Sequence, residues 1–283
     1  MFIIIGTVVV IVSLLAGFTI AGGNLLVLLQ WSEFLIIGGA ALGGLFISAP
    51  LSTLKKVFAS VPRAIAAKHD SKDDYKELLK SFYDLFLVAQ RDGLLAVETH
   101  IEKPEESDIL SKNKKFIKNK AAVTYFCDTL KVMLSGGVPP HEIESLMDTE
   151  IETFELESKP VPALLTKTAD AFPGLGIVAA VLGIIVTMGS IDKGAEYVGH
   201  HVAAALVGTF IGILVSYGFM NPLATNVEHL VENDVRYLET IKACLVAYAK
   251  GNPPIVAVEI GRRTIFSDSR PSFSELESYL RGK

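Results

Sequence analysis

The chain has 283 residues, half of them hydrophobic, with 26 Lys and Arg against 31 Asp and Glu for a net charge of −5. The acidic balance argues against a nucleic-acid partner, and a mean hydropathy of +0.43 is too apolar for a water-soluble chain. Cys127 and Cys244 lie far apart, flanked by helix-like segments, so they read as reduced, buried thiols rather than a disulfide framework.

Residues 2–22 form the first apolar run, FIIIGTVVVIVSLLAGFTIAG. It lacks a basic leading region and its apolar core is too long for a signal peptide, so it predicts a retained helix. Residues 23–32 carry no charge. The second run, 33–52, has Gly39 and Gly43 at helix-packing spacing, and Pro50 ends or kinks it. Residues 1–53 are therefore expected to form a transmembrane hairpin.

Residues 54–168 read as a charged helical domain. In Asp73–Gln90 the residues Leu78, Phe82, Leu85, Val88 and Ala89 fit one helical stripe. Gly93 breaks this helix, Leu94–Glu102 resumes it, and Pro104 closes it. Asn119–Leu134 and Pro139–Glu157 predict two more helices, the second with prolines and acids suited to its start. Runs of β-branched alternation are few, so strands are not expected.

Residues 169–222 hold two further apolar runs, expected as helices over about 171–191 and 200–221, long enough to cross a membrane. No Asp, Glu, Lys or Arg occurs between Phe172 and Ser190 or between Val202 and Pro222. Small residues recur four apart, Ala179 with Gly183, Ala204 with Gly208, and Gly208 with Gly212, which lets helix backbones approach closely. Basic residues Lys55, Lys56, Arg63, Lys68 and Lys167 flank the spans on one side. The opposite loops hold only Lys193, beside Asp192 and Glu196. The positive-inside rule then places 54–167, everything after Pro222 and both termini in the cytoplasm. Residues 223–283 comprise an amphipathic helix, Leu223–Lys250, stopped by Gly251 and Pro253-Pro254, then a short helix or extended piece at Ile255–Arg263 and a polar tail.

No phosphate-binding loop, nucleophile elbow, HExxH or CxxC motif occurs, which disfavours an enzyme. His200-His201 is a weak metal site, since adjacent side chains on a helix point apart. The apolar runs are read as holding no ionisable group at the bilayer centre, where one costs roughly 3 kcal/mol and is usually functional. The chain then either moves no ions or walls a path whose titrating carboxylate comes from another polypeptide.

The stretches TADAFPGLGIVAAVLG (168–183) and ALVGTFIGILVSYGFMNP (205–222) resemble the third and fourth helices of the MotA family of flagellar motor stator subunits. QRDGLLAVETHIEKPEES (90–107) resembles that family's torque-generating segment, and the likeness covers nearly the whole chain. The family is grouped with the ExbB and TolQ proteins, which have fewer spans. The resemblance implies an all-α polytopic membrane protein with four transmembrane helices and a helical cytoplasmic domain between helices 2 and 3, set in the bacterial inner membrane. It implies a homo-pentamer around a MotB dimer that supplies the channel Asp, a push on the rotor protein FliG, no cofactor, and H+ as the transported ion.

By the same resemblance Arg91, Glu98 and Gln90 fall at the rotor interface; here Gln90 occupies one of the family's basic slots and Arg91 the other. Gly93 between Arg91 and Glu98 sets them either on one helix face or on two arms of a turn. Pro173 and Pro222 match prolines at the start of the third helix and the end of the fourth, set there as helix boundaries with an added gating role. Asp170 is either a helix-capping acid or an acceptor for protons leaving the channel. Ala180 stands where sodium-type relatives carry Thr, which points to protons. Thr209 holds a water or bonds its own i−4 carbonyl. Tyr217 hydrogen-bonds in the channel wall or packs as core. Gly39, Gly43, Gly183, Gly208 and Gly212 are expected to pack helices. The alternatives are an ExbB/TolQ-like energiser of a periplasmic partner, or a passive membrane scaffold.

Overall fold

A computed structural model describes residues 2–66 and 70–282, and helices are the only regular elements among them. Lys68, one of the orientation signals, lies outside the described residues. Among the described residues four stretches are long and apolar enough to cross a membrane: Phe2–Ile20, Leu25–Ser48, one within Pro140–Met188 and one within Ala195–Ala249. The chain divides into two compact units, Met1–Lys68 with Ser158–Leu230, and His69–Glu157 with Val231–Lys283. These limits differ from the expected boundaries at 53, 168 and 222. Residues on both sides of the charged insert pack with the apolar hairpins, and the C-terminal stretch packs with the insert.

The first unit begins with α1 (Phe2–Ile20) and α2 (Trp31–Ser48), joined through a 3-10 turn at Leu25–Leu28. Both helices are rich in Gly and β-branched residues, which favour other conformations in water. In lipid the backbone must satisfy its own hydrogen bonds, and helix is the solution. None of the residues of α1 is buried and all its faces are apolar, as suits a helix surrounded by lipid or by other chains. Along α2 the buried residues Glu33, Ile37, Ala41 and Leu45 recur every four positions, forming one inward stripe. Ala49 is extended and Pro50 caps the next helix, so the proline does end α2.

Helix α3 (Leu51–Ile65) was not anticipated, because the sequence reading took its residues as the end of a span and a basic flank. Its Leu54, Val57 and Ala64 pack with Val161, Leu164 and Leu165 of α9 (Pro160–Met188) and with Ala224, Val227 and Leu230 of α11 (Asn221–Ala249). Between those two helices run α10 (Ala195–Ile213) and a π-helical segment, Leu214–Met220.

The core of the second unit is rich in aromatic rings. Helix α4 (Lys72–Asp92) starts on a capping box: Ser71 Oγ accepts from the Asp74 amide at 3.2 Å, and the Ser71 amide donates to the Asp74 carboxylate at 2.7 Å. Short α5 (Glu98–Glu102) and α6 (Lys114–Lys118) lead to α7 (Lys120–Ser135) and α8 (Pro140–Ser158). The Phe82 ring of α4 stacks on Phe126 of α7 at 4.3 Å and meets Phe116 of α6 edge-on at 5.7 Å. Tyr248 of α11 stacks on Phe86 at 4.3 Å. Lys115 bridges Asp70 and Asp74, each at 2.7 Å. Cys127 and Cys244 are buried and free, as expected, and burial pushes the Cys127 thiol up to about 11.

Gly251, at φ 85°, ends α11 where the sequence places its stop. The piece after it is a helix, α12 (Pro254–Thr264). The polar tail is more ordered than the sequence suggests. Helix α13 (Phe273–Leu280) begins on a second capping box, Ser272 with Glu275, and buries Leu276 and Leu280. Arg262 holds the chain before α13: its Nε and Nη2 donate to both Glu259 carboxylate oxygens at 2.6 and 2.7 Å, and its Nη1 donates to the Pro271 carbonyl at 2.9 Å.

The hydrogen bonds from Arg262 hold the Glu259 carboxyl below its ordinary range. A group depressed in the fold stabilises it above its unfolded value, about 4.3, and stops doing so as pH falls through the folded value. Glu259→Gln should therefore cost about 1.5–3 kcal/mol near neutral pH. Thermal unfolding at a series of pH values should show the two proteins converging in acid.

Candidate functional site

Two places answer to the sequence-derived site residues, one in each unit. In the first unit α9 and α10 touch through glycine. A Cβ at Gly176 would lie 2.8 Å from the Gly208 carbonyl oxygen and 3.2 Å from the Cα atoms of Thr209 and Gly212. A Cβ at Gly212 would lie 2.5 Å from the Phe172 carbonyl oxygen, and one at Gly183 would lie 2.8 Å from the Ala205 Cβ. Backbone is thus pressed on backbone over several turns, and only glycine permits it. Gly183, Gly208 and Gly212 pack helices as expected. Gly176, which like Gly212 is crowded by backbone alone, lies outside the four-apart pairs that the sequence marks. Gly39 and Gly43 do not share this role within the chain, for nothing lies within 4 Å of a Cβ at either; they sit off the inward stripe of α2.

Ala179 and Ala180 are buried on α9, and Thr209 is half-buried on α10. Thr187, fully buried near the end of α9, has its hydroxyl occupied by the Gly183 carbonyl at 2.7 Å.

The prolines stand elsewhere than expected. Helix α9 begins at Pro160, so Pro173 lies in its interior, and Asp170 neither caps nor opens it. The apolar run and the polar residues before it form one helix, because nothing between Pro162 and Phe172 breaks it. A proline in a helix interior removes the hydrogen bond to the i−4 carbonyl, here that of Ala169, and favours a bend. Pro222 does not end a helix either. The helical path runs on through the π-helical segment into α11, with Pro222 in the first turn of α11. The Asn221 amide donates to the Ser216 carbonyl, a wide i−5 bond, immediately before the proline whose missing N–H disrupts the α-helical pattern. Asn221 Nδ2 also reaches Asp170 Oδ1 at 3.4 Å and Ser216 Oγ at 3.5 Å. The two prolines thus flank a polar contact that the sequence did not signal.

The π-helical turns also change which residue faces inward. Tyr217 is 65% exposed and does not pack as core within the chain, whereas Ser216 is fully buried. Counting at 3.6 residues per turn puts Tyr217 on the face of Thr209; the wider turns move Ser216 inward instead.

One acid does lie inside a membrane-length stretch, Glu33. It occupies the first turn of α2, inside a membrane-spanning stretch, and is 5% exposed. Its carboxylate rests against Gly208, and its Oε1 lies 3.8 Å from the Cβ position of Gly183. The sequence reading placed Glu33 at the edge of a span; the side chain reaches inward between α9 and α10.

At the N-terminal end of α10, His201 Nδ1 sits 2.9 Å from the Tyr197 carbonyl oxygen, the Tyr197 ring stacks on His201 at 4.0 Å, and Lys193 lies over Tyr197 at 4.7 Å. Among the described residues no three His, Cys, Asp or Glu gather to hold a metal.

In the second unit α4 ends at Asp92, Gly93 turns the chain at φ 89°, and a 3-10 turn, Leu94–Val97, leads into α5 at Glu98. Arg91 and Glu98 therefore stand on two arms of a turn. Gln90, Arg91 and Glu98 are all exposed, with Leu95 72% exposed between the arms. Arg91 is engaged by its neighbour: its Nε lies 3.0 Å from both Asp92 oxygens and its Nη2 lies 2.6 Å from Oδ2. The same hydrogen bonds hold the Asp92 carboxyl below its usual range. The segment is pinned beyond Glu98 by His100 Nδ1 on Ser107 Oγ at 2.9 Å and by Ser107 Oγ accepting from the Leu110 amide at 3.1 Å.

Four spans, a glycine-lined helix pair and a helical insert between the second and third spans define an all-α polytopic membrane protein. Residues 4–93 match the family described as motility protein A N-terminal, and residues 113–240 match the MotA/TolQ/ExbB proton channel family. The chain is 36% identical to motility protein A of Salmonella typhimurium over 99% of its own length and 95% of that protein. It is 37% identical to chemotaxis protein LafT of Vibrio parahaemolyticus, over 98% and 97%. The fold is similar to the C. jejuni MotAB structure, with TM-score 0.78, 20% identity, and coverage of 96% and 98% of the two chains. It is also similar to the flagellar MotAB stator complex of Bacillus subtilis, with TM-score 0.70, 24% identity, and coverage of 90% and 92%. The chain belongs to the motility protein A family.

Gly212→Ala should disrupt the α9–α10 contact, at about 1–3 kcal/mol for the overpacking, while Gly39→Ala should leave the isolated chain's stability unchanged. Thermal unfolding of the two variants in detergent checks both.

Proposed function

We propose that this chain is the stator subunit that, with MotB, conducts protons across the bacterial inner membrane and turns their flow into torque on FliG. The observation that carries this reading is the end-to-end match to motility protein A, joined to four apolar spans and an exposed Arg91–Glu98 turn. In this reading five copies surround a MotB dimer, both termini are cytoplasmic, and MotB contributes the channel Asp. The chain is not an enzyme and carries no cofactor.

The close α9–α10 contact supplies a rigid wall on which a partner helix can slide. Bending at Pro173 and at the π-helical segment before Pro222 lets that wall respond when the partner's charge is neutralised. Asp170, tied to Asn221 where the two prolines flank it, receives protons on the cytoplasmic side. Proton coupling is supported by Ala179 and Ala180, which give the buried face of α9 no side-chain oxygen. Thr187, which does carry one, already donates its hydroxyl to a carbonyl.

The turn in the second unit meets the rotor. Charged contacts of this kind set orientation and encounter more than affinity. Arg91→Glu puts two acids side by side where a neutralised pair stood, and should slow or stop swimming in a strain lacking the native chain. Charge reversal on FliG should partly restore it. Normal swimming by both Arg91→Glu and Glu98→Lys, at normal protein levels, would remove this turn from the interface. Swimming speed should fall to zero with a protonophore and ignore external sodium; speed that tracks sodium defeats the assignment of the ion.

A further inference from the structure

We propose that Glu33 is a proton-binding site of this chain's own: a carboxylic acid that stays protonated while α2 is packed on α9 and α10, and that ionises when water reaches it. The argument begins with burial. Glu33 is 5% exposed, and its Oε2 is buried with no hydrogen-bond partner. An unpaired, ionised carboxylate away from water is far more costly than the protonated acid, so such a group takes up a proton. An ionisable residue in a membrane span is a functional candidate by default.

The surroundings offer no compensating charge. On α9 the carboxylate faces Gly183, with Thr187 one turn beyond and its hydroxyl already donated. On α10 it faces Gly208, and Ala205 lies a turn from there. Leu25–Leu28 adds only apolar side chains, and Gln30 on α2's side donates its amide to the Val27 carbonyl at 3.0 Å. Among the described residues, the other titratable groups toward this end are Asp192 and Lys193 in the turn before α10, and Glu196, Tyr197, His200 and His201 in its first turns; His201 lies one turn before Ala205, with Tyr197 stacked on it and Lys193 over Tyr197.

The site is also built rather than accidental. A methyl group at Gly208 would land on the Glu33 carboxylate, so the glycine makes the space that the acid fills. The position is suited to exchange. Glu33 lies in the first turn of α2, and Gly183 lies little more than one turn from the end of α9, so a small separation of α2 from α10 admits water. The proton passes between the carboxylate and that water, and no other bond changes. Proton occupancy of Glu33 is thereby linked to how tightly α2 holds the α9–α10 pair. The physiological use of the site rests on the stator reading; the existence of the site does not.

Infrared spectroscopy of the chain in complex with MotB, with glutamate carboxyls labelled in 13C, tests it. Aqueous glutamates ionise near pH 4.3, so at neutral pH the expected result is a label-shifted carboxylic-acid C=O band. Glu33→Gln abolishes that band. The channel Asp of MotB carries no label and does not interfere. Absence of the band in the unsubstituted complex, or its survival in Glu33→Gln, overturns the proposal, and the first outcome needs no variant to fold. In cells, Glu33→Gln should shift the dependence of swimming speed on external pH and Glu33→Asp should restore it. Unaltered speed at every pH removes the site from the drive. A Glu33 band in a complex that supports no swimming keeps the site and removes the stator reading.

Discussion

Lipid gives apolar helices no reason to leave it for one another, so helices in a membrane associate through close packing and backbone approach. In this chain that approach is made where Gly176 of α9 meets Gly208 and Gly212 of α10, with peptide groups nearly in contact. A methyl group at either end of the contact must displace backbone, which a helix cannot yield locally. The rest of the first unit is arranged around this pairing. Ile37 of α2 packs with Ala179, Val207 and Ile211. The carboxylate of Glu33 fills the space that Gly208 leaves open.

A pair so tightly joined needs somewhere else to give. Both helices have such a place at the same level of the unit. Pro173 withholds one backbone donor inside α9, and the Leu214–Met220 segment is wound in wide turns just before Pro222. Side chains rather than backbone close this region: Asn221 reaches Asp170 and Ser216 at 3.4 and 3.5 Å. These are long hydrogen bonds, which cost little to break. Rigidity and compliance are thus separated along the same two helices, with glycine supplying the first and proline the second.

Much of this was legible in residue order. Apolar runs of membrane length and Gly251 before a double proline are found where residue order places them, and the small residues four apart on α9 and α10 pack those helices, whereas Gly39 and Gly43 on α2 do not. What escaped reading has causes as definite. Helix α9 was started late because Pro173 looks like a first-turn residue; the helix begins eleven residues before the apolar run, at another proline, Pro160. The face assigned to Tyr217 was wrong because the count assumed α-helical turns. Glu33 opens the second apolar run, where residue order does not distinguish an inward from an outward side chain. Only the glycine opposite it reveals that its side chain turns inward. Asp92 was not weighed, and it alters what Arg91 presents. The tail is held in part by Arg262 donating to the Pro271 carbonyl nine residues on, a contact with no sequence mark.

The pairing of Arg91 with Asp92 changes the reach of this corner of the molecule. A lone cation has a potential that falls as the first power of distance, and even in physiological salt it is felt to about 8 Å. A cation and anion held 2.6 Å apart act as a dipole, whose potential falls as the square of distance. Such a corner is nearly silent to anything not already beside it. It discriminates by the orientation of what touches it more than it attracts from afar.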